Sequence, residues 1–385
     1  MFICELCGNS NTRYIGYING KPYCRLCFSF HGKSAGFHYI SPNSDLKEEL
    51  SYELSEEQEN IASSVKDAFA NHKNSLIHAV CGAGKTELVY RTIAYALSLG
   101  LQVGFTIPRK DVVIELETRI KSAFPNNSVV SVYGGHTSCL ESDIVILTCH
   151  QLYRYENYFD LLIIDETDAF PYQGSKVLNS FFKKSIRGNY VMMSATPLDS
   201  MIKEIKESNG KIFELNTRYH GHPLIVPKVV IAPFFRIVLI LIKLKDFIGH
   251  NKPCFIFEPT IDQAEILFKQ LKVFYKCGQV VHSKKADREQ IIKNFKSGKY
   301  KYLVTTSVLE RGVTVKNLQV IVDDASSPIY DDKTLIQIAG RVGRKIDAWD
   351  GEVIFYANNL KLKGIFFRSF SIFVFLFFSF KKNLF

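Results

Sequence analysis

Short apolar segments alternate with longer amphipathic stretches in two consecutive parts of the chain. Between residues 75 and 216, five segments are rich in branched or aromatic side chains: SLIHAV, QVGFTI, DIVILT, LLIIDE and YVMMSA. After a proline-containing crossing, RYHGHPLIVPK, the pattern restarts with PCFIFEPT, GQVVHS, YLVTTS, LQVIVDD and GEVIFYA. Apolar strands that alternate with helices favour a parallel sheet covered on both faces. The pattern therefore predicts an α/β fold with two parallel-sheet lobes in tandem.

The segments outside this pattern set the remaining boundaries. Residues 1–42 are polar and punctuated by cysteines, and a linker, SPNSDLKEEL, then leads into a helical pattern. We place a small N-terminal module at residues 1–42, the first lobe at 50–216 and the second lobe at 217–360. Residues 361–385 form an atypical, phenylalanine-rich tail.

The most apolar part of this tail reads IFFRSFSIFVFLFFSF and is followed by two lysines. A membrane span needs about 20 apolar residues, and here Arg368 and serines interrupt a shorter run. Contact with a membrane surface, a core strand or helix, and a foreign reading frame all remain as explanations. An intact reading frame on resequencing the 3′ end of the gene would remove the last of these.

Basic residues are unevenly distributed along the chain. Lysine and arginine outnumber the acidic residues 48 to 38, and residues 268–301 carry ten basic side chains against two acidic ones. Such a field suits a polyanion, although a solvated lysine-rich face explains that stretch equally well. The N-terminus, MFICELCGN, lacks the basic and apolar regions of a secretory signal. We therefore expect a cytoplasmic protein.

Four of the nine cysteines form two Cys-x-x-Cys pairs with sixteen residues between them. This spacing is typical of zinc knuckles, and a module of this size has few other means of holding a fold. The sequence predicts a Zn²⁺ site made of Cys4, Cys7, Cys24 and Cys27. The nearby His31 and His38 are interpreted as bystanders, and whether the module also contacts DNA stays open.

The segment SLIHAVCGAGKTELVYRTIAYAL has the strand, glycine-rich turn and helix of a phosphate-binding loop. In such a loop the backbone amides surround the β-phosphate. Lys85 is predicted to reach the β- and γ-phosphates of ATP, and Thr86 to bind Mg²⁺. The predicted nucleotide-binding residues are Ala79, Val80, Cys81, Gly82, Ala83, Gly84, Lys85 and Thr86.

Two adjacent carboxylates end the apolar segment LLIIDE. Asp165 is predicted to hold Mg²⁺ through water, and Glu166 to polarise the attacking water. A solvated turn would also contain acidic residues. Four apolar residues that run directly into Asp-Glu argue against that reading.

Further segments resemble the motifs of superfamily 2 helicases, in the correct order. SAT at 194–196 resembles the motif that couples nucleotide state to lobe movement, and QIAGRVGR at 337–344 the element that supplies arginine fingers. The resemblance implies two RecA-like lobes, with Arg341 and Arg344 stabilising the charge that develops during ATP hydrolysis. It also implies that Gln58, with Leu54 and Ser55, reads adenine.

The same resemblance assigns contacts to nucleic acid. In the first lobe these are Pro108 and Arg109 after QVGFTI, and Thr148 and Gln151 in LTCHQLYRY. In the second lobe, TTSVLERGVTV at 305–315 resembles the motif that contacts both the nucleic-acid backbone and the nucleotide. The resemblance assigns Thr306 and Arg311 to the nucleic acid and Gly312 to the nucleotide. A lone arginine or threonine in a turn is usually structural, whereas their joint order indicates a motor.

Among these proteins the chain most resembles the ComFA family of late competence ATPases, which is related to the primosomal helicase PriA. The resemblance rests on the four-cysteine module, DETDAFP, RYHGHPLIVP, LERGVTV and QIAGRVGR, and it covers residues 1 to about 358. It implies an ATP hydrolase that translocates on single-stranded DNA and helps to draw transforming DNA inward, working at the inner face of the cell membrane. A second competence protein and the membrane DNA channel are the implied partners.

Two other functions agree with parts of this pattern. A PriA-like or RNA-directed helicase would separate duplexes, and a zinc-stapled DNA-binding scaffold would have lost motor activity through its altered tail. The intact Lys85, Glu166 and Arg344 argue against the scaffold. Direction of travel and oligomeric state lie beyond the sequence.

Overall fold

The structure is a computed structural model. It describes residues 2–50, 52–80, 82–167, 172, 174–219, 221–222, 225–232, 235–309 and 313–358. The chain forms two compact units, residues 1–219 and 220–385. The predicted boundary lies earlier, after residue 216, and the backbone amide of Tyr219 donates to the Gly82 carbonyl (3.3 Å), which ties residues 217–219 to the first unit.

The N-terminal module contains a two-stranded antiparallel hairpin of β1 (Ile15–Ile18) and β2 (Lys21–Cys24). Its turn is Asn19-Gly20, and both residues have positive φ, 49° and 74°. Asn-Gly is the preferred pair for a two-residue turn of this hand. The hairpin ends at Cys24, so the turn chemistry determines where the second cysteine pair begins.

The first unit continues with α1 (Glu56–Ala70) and a seven-stranded parallel sheet in the order β5-β6-β4-β7-β8-β3-β9. Its strands are β3 (Ser75–Ala79), β4 (Val103–Ile107), β5 (Val129–Val132), β6 (Ile144–Thr148), β7 (Phe159–Ile164), β8 (Ile186–Ser194) and β9 (Lys211–Leu215). Its further helices are α2 (Lys85–Leu88), α3 (Tyr90–Ser98), α4 (Lys110–Ala123), α5 (Lys176–Ser185) and α6 (Asp199–Glu207).

The second unit contains a six-stranded parallel sheet in the order β10-β15-β14-β11-β13-β12. The strands are β10 (Lys228–Ile231), β11 (Cys254–Phe257), β12 (Gly278–Val281), β13 (Tyr302–Thr305), β14 (Gln319–Val322) and β15 (Val353–Ala357). The helices are α7 (Arg236–Gly249), α8 (Ile261–Phe274), α9 (Arg288–Lys296) and α10 (Asp332–Ala339).

Central strand β11 shows why the apolar segments are continuous. Phe255 and Phe257 pack in one core cluster, and Cys254 and Ile256 pack in another. Alternate residues of a strand face opposite sides of the sheet, so both faces are covered. The predicted fold class, two parallel-sheet α/β lobes, is confirmed.

No helix among the described ranges is both long enough and apolar enough to cross a membrane. The tail, residues 361–385, lies outside the described residues, as do Cys81 and Glu310, Arg311 and Gly312. The DETDAFP and RYHGHPLIVP segments are described in part, without Asp168–Pro171, His220, Pro223 and Leu224.

Candidate nucleotide and nucleic-acid site

The phosphate-binding loop lies between β3 and α2, at the carboxyl edge of the sheet. Gly82 and Gly84 have φ of 81° and 74°, in the left-handed region that favours glycine. A Cβ atom on Gly84 would come within 2.8 Å of both the Gln58 amide nitrogen and the Tyr52 hydroxyl. Backbone conformation and space therefore both require glycine at this position.

The two predicted phosphate and magnesium ligands begin α2. Lys85 Nζ is 3.4 Å from the Ala79 carbonyl oxygen, so its ammonium group lies back over the loop. The Thr86 side chain is buried, with its residue 8% exposed. A cation above a loop of backbone amides is an arrangement that binds phosphate.

Gln58 connects α1 to this loop. Its Nε2 donates to the Ala83 carbonyl (2.8 Å), and its Oε1 accepts from the backbone amide of Ser55 (2.9 Å). Ser55 Oγ in turn accepts from the Gln58 amide, which completes a capping box at the start of α1. Gln58 is 1% exposed. The side chain assigned to adenine thus also fixes the position of the loop.

Asp165 and Glu166 follow β7 at the same edge. The Asp165 amide donates to the Thr106 carbonyl (3.0 Å), and its Oδ1 accepts from the Glu166 amide (2.8 Å). Glu166 has φ of 55°, a left-handed backbone that costs free energy for a residue with a side chain. Strain of this kind is concentrated at functional sites, and here it turns Glu166 out of the strand direction.

The first-unit residues predicted to contact nucleic acid lie after β4 and β6. Pro108 is buried, and Arg109 pairs with Asp111 (3.0 Å). Thr148 ends β6 and is 6% exposed, whereas Gln151 is half-buried in a 3₁₀ turn, Cys149–Arg154. Parallel strands bring these residues to the edge that also carries the loop and the carboxylates.

The motif at 194–196 ends β8, the neighbour of β3 and β7 in the sheet. Ser194 is fully buried, and its hydroxyl accepts from the Thr196 amide (3.0 Å). This local bond shapes the turn that follows β8.

In the second unit, Arg341 and Arg344 follow α10. Arg341 is 1% exposed, and its Nη1 donates to the Val313 carbonyl (2.7 Å). Arg344 is half-buried, and its Nε donates to the Gly340 carbonyl (3.0 Å). Thr306 is half-buried after β13. Arg341 therefore links the two helicase-like segments of this unit, 305–315 and 337–344.

Two further residues that lie beside the phosphate-binding loop, Arg218 and Tyr219, were missed in the sequence analysis. Arg218 is 3% exposed, and its Cδ and Nε lie 3.8 Å from the position of a Cβ on Gly82. The ring of Tyr219 packs on that of Tyr52, with centroids 5.4 Å apart. The signal was present in RYHGHPLIVP, which we interpreted as a crossing between lobes and as a segment that resembles the ComFA family, without a role at the loop.

An ion pair between a buried carboxylate and an exposed arginine lies in the same region. Glu87 of α2 accepts from Arg119 of α4 (2.6 Å), and Glu87 is 8% exposed. Burial, followed by the charge of Glu87, raises the pKa of the Tyr52 phenol, which therefore stays neutral at physiological pH.

The four predicted cysteine ligands are gathered at the N-terminus. All four sulfur atoms lie within 4.8 Å of one another, and Cys7 Sγ is 3.8 Å from Cys24 Sγ. A zinc–sulfur bond of about 2.3 Å gives a tetrahedron edge of about 3.8 Å, whereas a disulfide needs about 2.05 Å. Burial, followed by the neighbouring Cys7 and Cys4, raises the pKa of Cys27. A cation that favours thiolates fits this donor set.

Among the described residues, the cluster of possible metal ligands contains only the four cysteines, and neither His31 nor His38 is part of it. His38 Nε2 pairs with Asp143 Oδ1 (2.8 Å), and the backbone carbonyl of His31 accepts from the Tyr153 hydroxyl (2.7 Å). Both contacts join the N-terminal module to the first lobe.

Comparison with known proteins defines the family. Residues 51–199 match the family model described as type III restriction enzyme, res subunit, and residues 239–345 match helicase conserved C-terminal domain. Competence protein ComFA of Bacillus subtilis (strain 168) is 33% identical over 379 residues, which cover 92% of this chain and 81% of the relative. The chain belongs to the ComFA family. It carries a superfamily 2 helicase-like motor.

A second ComFA relative, from Streptococcus pneumoniae (strain ATCC BAA-255 / R6), is 32% identical and covers 93% of this chain and 86% of the relative. Among solved structures, this ComFA family member is similar to S. cerevisiae Dbp5 bound to RNA and ADP BeF3, with a TM-score of 0.62 and 15% identity over 83% of this chain and 91% of that one. RecG bound to a three-way DNA junction gives a TM-score of 0.60 and 19% identity over 86% and 47%. These likenesses establish the fold.

Proposed function

We propose that this ComFA family member is an ATP-dependent translocase on single-stranded DNA that drives the uptake of transforming DNA. One observation carries the proposal. The Lys85 loop, the Asp165-Glu166 pair and the turn with Gln151 all follow strands of one parallel sheet and share its carboxyl edge. Ligands of open parallel α/β sheets bind at that edge.

In this mechanism ATP binds on the loop of residues 79–86. Lys85 contacts the β- and γ-phosphates, and Thr86 and Asp165 would hold Mg²⁺, Asp165 through water. When bound, Mg²⁺ neutralises charge on the phosphate oxygens. Glu166 orients the attacking water and accepts its proton. Gln58 supports the loop and reads the adenine, and Gly312 contacts the nucleotide from the second unit.

Arginine from the second unit completes the reaction in this proposal. Arg344 stabilises the charge on the transferred phosphoryl group. Arg341, buried against the Val313 carbonyl, connects it to the segment that touches DNA. ATP hydrolysis is then coupled to movement of the DNA strand.

The protein binds the single-stranded DNA mainly through its phosphates. We assign Arg109, Thr148 and Gln151 to this grip in the first unit, with Pro108 shaping the turn, and Thr306 and Arg311 in the second. The basic stretch at 268–301 adds a favourable field. Zn²⁺ bound by the four cysteines would stabilise the N-terminal module. The proposed partners are a second competence protein and the membrane DNA channel, at the inner face of the membrane.

The test is steady-state ATP hydrolysis by the full chain with and without a single-stranded oligonucleotide, beside Lys85→Ala and Arg344→Ala. We expect stimulation by the oligonucleotide in the parent and its loss in both variants. A tailed duplex and an RNA of the same sequence complete the set. Strand separation would favour the duplex-unwinding helicase, and zinc-loaded protein that binds DNA without turnover would favour the scaffold.

A further inference from the structure

The segment that follows Cys27, the last of the four clustered cysteines, packs on the turn that carries Gln151. We call residues 30–38 the strap. The Tyr153 hydroxyl donates to the His31 carbonyl (2.7 Å), and the Ala35 amide donates to the Arg154 carbonyl (2.9 Å). The Phe30 ring lies parallel to that of His150, 6.3 Å between centroids, and at an angle to Phe181, 5.0 Å. The strap is therefore held to the turn by both apolar and backbone contacts.

Arg154 lies at the centre of this contact and is 9% exposed. Its Nη1 donates to the Lys33 carbonyl (2.5 Å), and its Nε donates to Gln151 Oε1 (2.7 Å). A guanidinium group is a rigid plane, so these two bonds cannot be adjusted independently. A movement of the strap at Lys33 therefore changes the position of the Gln151 side chain.

The chemistry of Arg154 also fixes which end of Gln151 is available. Arginine has donors and no acceptor, so the Gln151 atom that faces it must be the carbonyl oxygen. The amide NH₂ of Gln151, with two donors, is then directed away from Arg154. Phosphate oxygens are acceptors, so this orientation presents the correct group to a nucleic-acid backbone.

Gly32 of the strap shows how close this approach is. Its φ is 141°, and a Cβ there would lie 2.7 Å from Arg154 Nη1. Because the nearest atom is the end of a flexible side chain, an added methyl group would displace the guanidinium while both Arg154 and Gln151 stay present. Gly32→Ala therefore displaces the guanidinium and also strains the strap backbone, because a φ of 141° favours glycine.

We propose that Arg154 is a positioning residue that joins the zinc module to the strand grip, by holding Gln151 so that its amide donates to a phosphate of single-stranded DNA. The inference rests on the proposed function, since it takes Gln151 as a strand contact. The folded state of the zinc module then influences affinity for single-stranded DNA, without any contact between the module and DNA.

A double-mutant cycle on the full, zinc-loaded chain tests this proposal. The dissociation constant for a fluorescent single-stranded oligonucleotide is measured for the parent, Arg154→Lys, Gln151→Ala and the double variant. We expect each single variant to weaken binding by roughly 10- to 150-fold, the loss of one hydrogen bond to a charged group. The double variant should match Gln151→Ala, because Arg154 acts through Gln151. Arg154→Lys keeps the charge, so a purely electrostatic role predicts no loss.

Gly32→Ala should reproduce the loss with both side chains in place, and its zinc content and basal ATP hydrolysis are measured to check that it folds. Tyr153→Phe is the matched control, since it removes a strap bond that does not involve the Arg154 side chain and should keep affinity, zinc content and basal ATP hydrolysis. Additive losses in the double variant, or normal binding by Arg154→Lys and Gly32→Ala, would overturn the proposal. Normal binding by Gln151→Ala beside intact DNA-stimulated hydrolysis would overturn it and leave the proposed function standing, whereas absent stimulation in the parent refutes the function itself.

Discussion

Gln58 offers the sharpest separation of stability from nucleotide binding in the first unit. Its two polar ends have different tasks, since Oε1 closes the capping box with Ser55 and Nε2 holds the Ala83 carbonyl of the loop. Gln58→Glu keeps an acceptor for the Ser55 amide and removes the donor to Ala83. Ser55→Ala does the reverse, because it removes the cap and leaves the bond to the loop.

The magnitudes follow from the burial of each group. Ala83 is fully buried, so its carbonyl loses its partner and faces a carboxylate oxygen in Gln58→Glu. An unsatisfied buried acceptor costs about 1–3 kcal/mol, which corresponds to a loss of nucleotide affinity of roughly 5- to 100-fold if the cost falls on the loop. Loss of an N-cap serine costs about 1 kcal/mol in stability, and the loop keeps its support.

The assay combines binding of a fluorescent ATP analogue with urea unfolding of the same samples. We expect Gln58→Glu to lose affinity strongly, and Ser55→Ala to unfold at lower urea with affinity unchanged. If the two variants lose affinity equally, or if Gln58→Glu binds normally, the bond from Gln58 to Ala83 does not position the loop and the reasoning is refuted.

Three further predictions concern other groups. Gly84→Ala should abolish ATP binding, measured by the same analogue, because its Cβ would clash with Gln58 and Tyr52, whereas Gly135→Ala has a similar φ of 84° with nothing within 4 Å and should bind normally. Cys24→Ser should lose bound zinc in a chelator assay and lower the melting temperature, whereas Cys139→Ser, at an exposed free cysteine, should retain both. Burial, followed by the charge of Asp323, raises the pKa of Glu258 to about 9. Protonated Glu258 therefore favours the folded second unit below the unfolded pKa of about 4.3, and that stability is lost as the pH rises towards 9. Glu258→Gln should flatten this dependence in thermal melts between pH 5 and pH 9, and an unchanged slope would contradict it.

The strands that sequence predicted are those buried on both faces. β3, β4, β6, β7 and β8 of the first unit all coincide with continuous apolar segments, because helices cover both sides of the sheet. β5 and β9 were missed. Both lie at the edges of that sheet and are partly exposed, so their apolar signal is weak. β10 of the second unit was missed for the same reason.

The sequence also predicted the motif residues in order, but not what holds them. Arg154 meets Lys33 across 121 positions of the chain, and Gln58 meets Ala83 across 25. Such pairs depend on how elements pack, and no local pattern encodes them. The burial of Arg341 belongs to the same class, because its carbonyl partner, Val313, lies 28 positions away.

These distant contacts have a common result at the carboxyl edge of the first sheet. The loop is held by Gln58 from one side and approached by Arg218 from the other, and Gln151 is held by Arg154 from the strap. Each holding residue is 9% exposed or less, so water competes little for its bonds. The nucleotide loop and the proposed strand contact thus have separate supports. Loss of the Arg154 bridge should therefore impair affinity for single-stranded DNA and leave ATP affinity intact, whereas damage to Gln58 should do the opposite.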